Sequence, residues 1–86
     1  MKSVKLFYLR GCPFCKRALQ FVADAKAAHP ELADVEVETI EESEQPEVAG
    51  SYDYYYVPTF YVGEVKCHEG DITSDEVEQV LRKALQ

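Results

Sequence analysis

The stretch from Val4 to Lys16 constrains the fold more than any other: an apolar run, a tight turn, and a proline placed to open a helix. Val4 to Leu9 (VKLFYL) is rich in β-branched and aromatic residues and ends at Arg10-Gly11. It reads as a strand running into a turn. Its near-continuous apolar character suits a strand buried on both faces. Pro13 fits the first helical position, where its missing N–H leaves nothing unpaired. Phe14, Ala18, Phe21, Val22 and Ala25 then recur on one side of a helix. That helix stops near His29, because Pro30 disfavours helical geometry in the residue before it.

The same grammar continues along the chain. Val35, Val37 and Thr39 alternate with Glu36, Glu38 and Ile40, which reads as a second strand with one polar face. Ser43 is a candidate cap for a short helix, with Pro46 near its start and Gly50 closing it. A tyrosine-rich loop spans Tyr52 to Tyr56. Thr59 to Val62 reads as a third strand, Gly63-Glu64 as a turn and Val65 to His68 as a fourth strand, together an antiparallel hairpin. The final helix is announced by a capping box, Thr73 and Glu76. Its apolar stripe is Val77, Val80, Leu81, Ala84 and Leu85, and Arg82 and Lys83 in its last turn complement the helix dipole.

The expected order is β-α-β-α-β-β-α: an α/β fold with a four-stranded mixed sheet flanked by helices. The first β-α-β unit should be a right-handed crossover between parallel strands. A chain of 86 residues buries roughly 60% of the surface it exposes when unfolded, enough for one core. Residues 1–86 are therefore expected to form a single domain.

Charge narrows the function classes. The net charge is −7, which repels phosphate backbones and argues against nucleic-acid partners. Positive charge is concentrated only at Arg10, Lys16 and Arg17, and the acidic run Glu36 to Glu47 reads as a solvated face. The apolar run Leu6 to Leu9 is too short for a signal peptide. No stretch approaches the roughly 20 apolar residues of a membrane span. A cytoplasmic monomer without membrane partners is expected.

The chain has three cysteines, Cys12, Cys15 and Cys67. An odd number argues against a structural disulfide framework, and in a reducing compartment a close pair points to catalysis or metal binding. Cys12-Pro13-Phe14-Cys15 falls where the first strand meets the first helix. Cys12 is then the helix N-cap, where unpaired N–H groups and the helix dipole favour a thiolate. Arg10, Lys16 and Arg17 act in the same sense. Cys15 lies about one turn later, deeper under the helix and within bridging reach of Cys12. Cys67 reads as a small core or edge-strand residue, and His29 and His68 as surface residues. The tyrosines of the loop are expected to pack at the core and rim, with at least one available to shape a groove.

Here the chain resembles the thioredoxin superfamily. Cys-Pro-Phe-Cys is similar to the Cys-Pro-Tyr-Cys of glutaredoxins, and Val57-Pro58-Thr59 before the third strand matches the superfamily's second motif. The resemblance implies a thioredoxin fold of glutaredoxin size, with Cys12 and Cys15 catalytic and their disulfide redox-active. It implies that the Val57–Pro58 peptide is cis and lies against the dithiol, and that the Val57 backbone pairs with substrate. Val57, Pro58, Thr59, Arg10, Pro13 and Phe14 form the expected substrate-binding set. No metal or resident cofactor is implied. The partners implied are disulfide-containing proteins and an electron donor, either glutathione as co-substrate or a reductase.

The two halves resemble different branches. Ala49-x-x-Tyr52 before Val57-Pro58-Thr59, and Gly70-Asp71-Ile72-Thr73 before the last helix, look thioredoxin-like. The buried acid that thioredoxins carry before the motif is replaced by Leu6. Where glutathione-binding glutaredoxins show Gly-Gly-x-Asp, this chain has His68-Glu69-Gly70-Asp71, and Glu69 is expected to repel a carboxylate. Their usual Lys or Arg three residues before the first cysteine is Leu9. The leading expectation is therefore reduction of protein disulfides by dithiol exchange. The alternatives are a glutathione-dependent glutaredoxin and a metal-binding module built from Cys12, Cys15, Cys67 and His68.

Overall fold

A computed structural model describes residues 1–86. The elements in chain order are β1 (Val4–Tyr8), α1 (Pro13–Ala28), a 3-10 turn (Pro30–Leu32), β2 (Val37–Glu41), α2 (Pro46–Gly50), β3 (Thr59–Val62), β4 (Val65–Glu69) and α3 (Ser74–Lys83). The sheet order is β2-β1-β3-β4. β1 and β2 are parallel, and the other two pairings are antiparallel. The expected order of elements and the mixed sheet are therefore both present.

The side-chain period of a strand divides the core between the two faces of the sheet. Val4 and Leu6 of β1 and Phe60 and Val62 of β3 point to one face, where Ala18, Val22 and Ala25 of α1 and Val77, Val80 and Leu81 of α3 cover them. Phe7, Ile40 and Tyr61 point to the other, beneath Val48 and Ala49 of α2 and Tyr52, Tyr54 and Val57 of the following loop. No helix is long and apolar enough to cross a membrane.

Local chemistry explains most boundaries. Thr73 caps α3 as expected: its N–H donates to Glu76 Oε1 at 3.0 Å, and the Glu76 N–H donates to Thr73 Oγ1 at 3.1 Å. Four readings need correction. Val35 lies before β2, buried beside the 3-10 turn that Pro30 opens. The polar-face alternation of β2 fails at its end, where Ile40 and Glu41 are both buried. Gln45, not Ser43, is the N-cap of α2, and Gly50 is its last residue rather than its terminator. The buried stripe of α1 runs through Cys15, not Phe14, and Phe14 is 45% exposed.

His29 and His68 are not free surface residues. His29 Nε2 lies 3.1 Å from Glu78 Oε1, and its Nδ1 faces Arg82. His68 Nε2 lies 2.6 Å from the Asp71 carbonyl. Both are half-buried.

Candidate active site

β1 delivers the chain to the carboxyl end of the sheet, and α1 carries it back. The link is Leu9 to Cys12, with Gly11 at a φ of 80°, a left-handed turn that a side chain would strain. The Cys12 N–H donates to the Leu9 carbonyl at 3.3 Å, closing that turn. Cys12 then stands at the α1 N-cap in extended geometry, and its Sγ accepts the Cys15 N–H at 3.4 Å. Pro13 follows in the first helical turn. Cys15 is buried with the core-facing stripe. Both thiols are free.

Their environments drive the two thiols apart. Burial pushes the Cys12 thiol up, but hydrogen bonds from the Cys15 thiol and from the Cys15 and Phe14 backbone, with the charge of Arg17, outweigh it and hold Cys12 below the ordinary value. Cys15 is pushed up to about 12, first by burial, then by its hydrogen bond to Cys12 and by the charges of Cys12 and Glu42. An anion is favoured at the helix end and disfavoured one turn further in.

The three nearby cations play different parts. Arg17 is the one that acts on Cys12; its guanidinium lies 4.9 Å from the Phe14 ring centre and 3.4 Å from Asp71 Oδ1. Arg10 turns outward to Glu44 at 2.8 Å. Lys16 lines a groove of about 550 Å³ beside the dithiol together with Leu9, Arg10 and Leu19.

The second motif reaches the same end of the sheet. Phe7 of β1 pairs with Thr59 of β3, so the segment leading into Thr59 starts β3 at the end of the sheet where β1 finishes. The Val57–Pro58 peptide is cis, as the resemblance implies. The Pro58 carbonyl accepts the Gly70 N–H at 2.8 Å, and the next residue, Asp71, holds Arg17 of α1. Thr59 is fully buried, and its hydroxyl bonds the Tyr56 carbonyl. Neither backbone polar group of Val57 has a backbone partner.

Two carboxylates hold this region together: Glu41, which the sequence leaves inside a solvated acidic run, and Glu69. Glu41 is only 4% exposed, and its Oε2 accepts the Arg10 N–H at 3.1 Å. Its Oε1 accepts both the N–H and the hydroxyl of Ser43, each at 2.6 Å. These donors, the Ser43 hydroxyl first, hold Glu41 down at about 2. A buried carboxylate thus clamps the turn that presents Cys12. Glu69 pairs with Lys66 at 2.8 Å and accepts the N–H groups of Tyr55 and Tyr56 at 2.5 and 2.9 Å. Lys66 first, then those amides, hold it at about 2. Its carboxylate is thus tied to Lys66 and to the backbone of the tyrosine loop. The available signals were Glu-x-Ser at the end of β2 and a Glu closing β4, but the surrounding acidic run made Glu41 look solvated.

The remaining candidates divide. Tyr52 and Tyr54 pack tilted against Phe7 with ring centres 4.9 and 4.8 Å away, whereas Tyr55 and Tyr56 are 86% and 70% exposed. Cys67 is half-buried against the larger core and donates to the Val65 carbonyl at 3.6 Å. Cys67 and His68 line a separate cavity with Glu76 and Lys83 of α3. The fold does not assemble them with Cys12 and Cys15 into a metal cluster.

No family model matches the chain, and no curated protein does. A solved structure described as "Structure of a malarial protein" is similar, with a TM-score of 0.71 over 100% of this chain and 99% of its own, at 12% identity. That likeness places the chain in a class of compact α/β architecture that a distant sequence also adopts.

Proposed function

We propose that this chain is a thiol–disulfide oxidoreductase of thioredoxin fold that reduces protein disulfides through Cys12 and Cys15. The observation that carries the reading is the opposite treatment of two thiols one helical turn apart. Cys12 is held below the ordinary thiol value at a helix N-terminus, and Cys15 is buried and pushed up to about 12. Dithiol exchange needs that asymmetry: one sulfur ionised and accessible, the other protonated and waiting.

The Cys12 thiolate attacks one sulfur of the substrate disulfide. A Cys12–substrate disulfide forms, the substrate S–S bond breaks, and the released thiolate takes up a proton. Cys12 then carries no charge, so its part in holding Cys15 protonated disappears. Cys15 loses its proton and attacks the Cys12 sulfur. The Cys12–Cys15 disulfide forms, and the second substrate thiolate leaves and is protonated. The substrate gains two electrons and two protons, and the dithiol is oxidised. Two equivalents of glutathione, or one dithiol of a reductase, restore it.

The unpaired N–H and C=O of Val57 support main-chain pairing with an extended substrate segment, in the manner of strand addition. Exposed Phe14, Tyr55 and Tyr56 offer that segment an apolar rim. The test is insulin-disulfide reduction with dithiothreitol. Cys12→Ser abolishes it, and Cys15→Ser accumulates mixed disulfides with substrate. Full activity in Cys12→Ser overturns the reading. Running the assay with glutathione and with a thioredoxin reductase identifies the donor.

A further inference from the structure

A second cavity, of about 600 Å³, meets the dithiol groove at Leu9. Tyr52, Tyr54 and Tyr55 wall it, and Glu42 is its one charged lining residue. Its volume lies within the roughly 300–1,000 Å³ of ligand pockets. The exchange chemistry proposed above uses only its rim, at Tyr55.

Glu38 pairs with Lys5, Glu44 with Arg10, and Glu41 with Ser43 and the Arg10 N–H. Of the acids in this segment without a cationic partner, Glu36 and Glu47 are exposed and Glu42 alone is half-buried. One oxygen of Glu42 accepts the Tyr54 hydroxyl at 2.5 Å, and the other is free. A carboxylate without a counter-charge attracts a cation that enters the cavity. Tyr55, which lines the cavity and is largely exposed, offers an aromatic ring that favours the same sign of charge. Tyr52 already does so within the chain, with Lys5 Nζ 6.0 Å from its ring centre. The net charge of −7 steers cationic partners toward the molecule.

We infer that this tyrosine pocket receives a lysine or arginine side chain of the polypeptide whose disulfide lies at Cys12, so that the site selects substrates with a basic residue near the reacting cysteine. The inference rests on the oxidoreductase reading and assigns its substrate class. Leu9 is the shared wall across which the substrate chain passes from one cavity to the other.

The test uses three disulfide-bonded peptides that are identical except for a lysine, alanine or glutamate flanking one cysteine. Wild-type protein should reduce the lysine peptide with a kcat/KM roughly tenfold above the alanine peptide, a preference of the size a partly desolvated cation–π contact supplies, and the glutamate peptide should be slowest. Glu42→Gln and Tyr55→Ala should each bring the lysine-to-alanine ratio toward one; because it is a ratio, any effect common to both peptides cancels. Equal rates for all three peptides in the wild type overturn the inference while leaving the oxidoreductase reading intact. No reduction of any peptide overturns that reading instead. NMR titration with a cysteine-free lysine peptide then still decides the pocket: shifts centred on Glu42, Tyr54 and Tyr55 support it, and shifts elsewhere or none overturn it.

Discussion

The two faces of the sheet are built on different principles. The face under α1 and α3 is a continuous aliphatic core of 14 buried residues, with Phe60 its one aromatic. The face under α2 has three buried apolar residues, Phe7, Ile40 and Tyr61, roofed by half-buried tyrosines. On that face polar anchors replace bulk. The Tyr61 hydroxyl donates to the Asp53 carbonyl at 2.6 Å, Tyr54 holds Glu42, and Glu69 holds the backbone of Tyr55 and Tyr56. An aliphatic core is stabilised by area and indifferent to pH. An aromatic face anchored by carboxylates is adaptable and sensitive to charge. The dithiol belongs to neither cluster: Cys15 is buried on α1, and Cys12 opens toward the groove.

The largest test of this contrast is in the aliphatic core. Leu81→Ala removes a fully buried side chain and should cost about 2–5 kcal/mol, measured by urea unfolding. Total stabilities are typically about 5–15 kcal/mol, so the variant should be close to unfolding. On the other face Val48→Ala should cost only about 1 kcal/mol. Equal losses at both positions would remove the distinction.

Acid should separate the faces further. Glu41 and Glu69 are each held from an ordinary 4.5 down to about 2 in the folded protein. A depressed carboxylate contributes stability that is fully present above about 4.5 and is lost as the pH falls toward about 2. The tyrosine loop and the Cys12 turn should therefore loosen across that window before the α1–α3 core does. Tyrosine near-UV circular dichroism should change ahead of the far-UV signal. In Glu41→Gln the stability deficit relative to wild type should be greatest at neutral pH and shrink as the pH falls through the same window. A deficit that does not vary with pH would mean that Glu41 acts by shape alone.

Smaller effects are expected at the helix ends. Thr73→Ala removes half of the α3 capping box and should cost about 1 kcal/mol by urea unfolding. Arg17→Gln removes the positive charge acting on Cys12 and should slow iodoacetamide alkylation of that thiol near neutral pH by the few-fold that a partly exposed charge contact is worth. An unchanged rate would leave the helix N-terminus and the Cys15 hydrogen bond as sufficient causes.

The architecture was legible in the sequence because its signals are local. Pro13 and Pro30 bracket α1, Thr73 and Glu76 start α3, and Gly63-Glu64 turns the β3–β4 hairpin. Each acts within a few residues, and the chain's alternation of periods fixes the element order. The N-cap position of Cys12 follows from the same rules, since a proline at the first helical position leaves the preceding residue as the cap. Phe14 misled the helical stripe because an aromatic next to a buried cysteine looks apolar on paper, whereas the face is set by which residue meets the sheet.

What the sequence alone determined is therefore the order of strands and helices, and the placing of two cysteines at a strand-to-helix junction. Only the tertiary structure decided which charges matter to them. Arg10, Lys16 and Arg17 are nearly equivalent in sequence, yet Arg17 acts on Cys12 and Arg10 turns to Glu44. Glu41, Glu42 and Glu44 lie in one acidic run, yet one clamps the Cys12 turn, one faces a tyrosine pocket without a counter-charge, and one meets Arg10 in solvent. The physical reason is that capping and turn preferences are settled by nearest neighbours along the chain. Charge interactions depend on distance and burial in space, and those are fixed only when the sheet brings β2, the Cys12 turn and the tyrosine loop to one end.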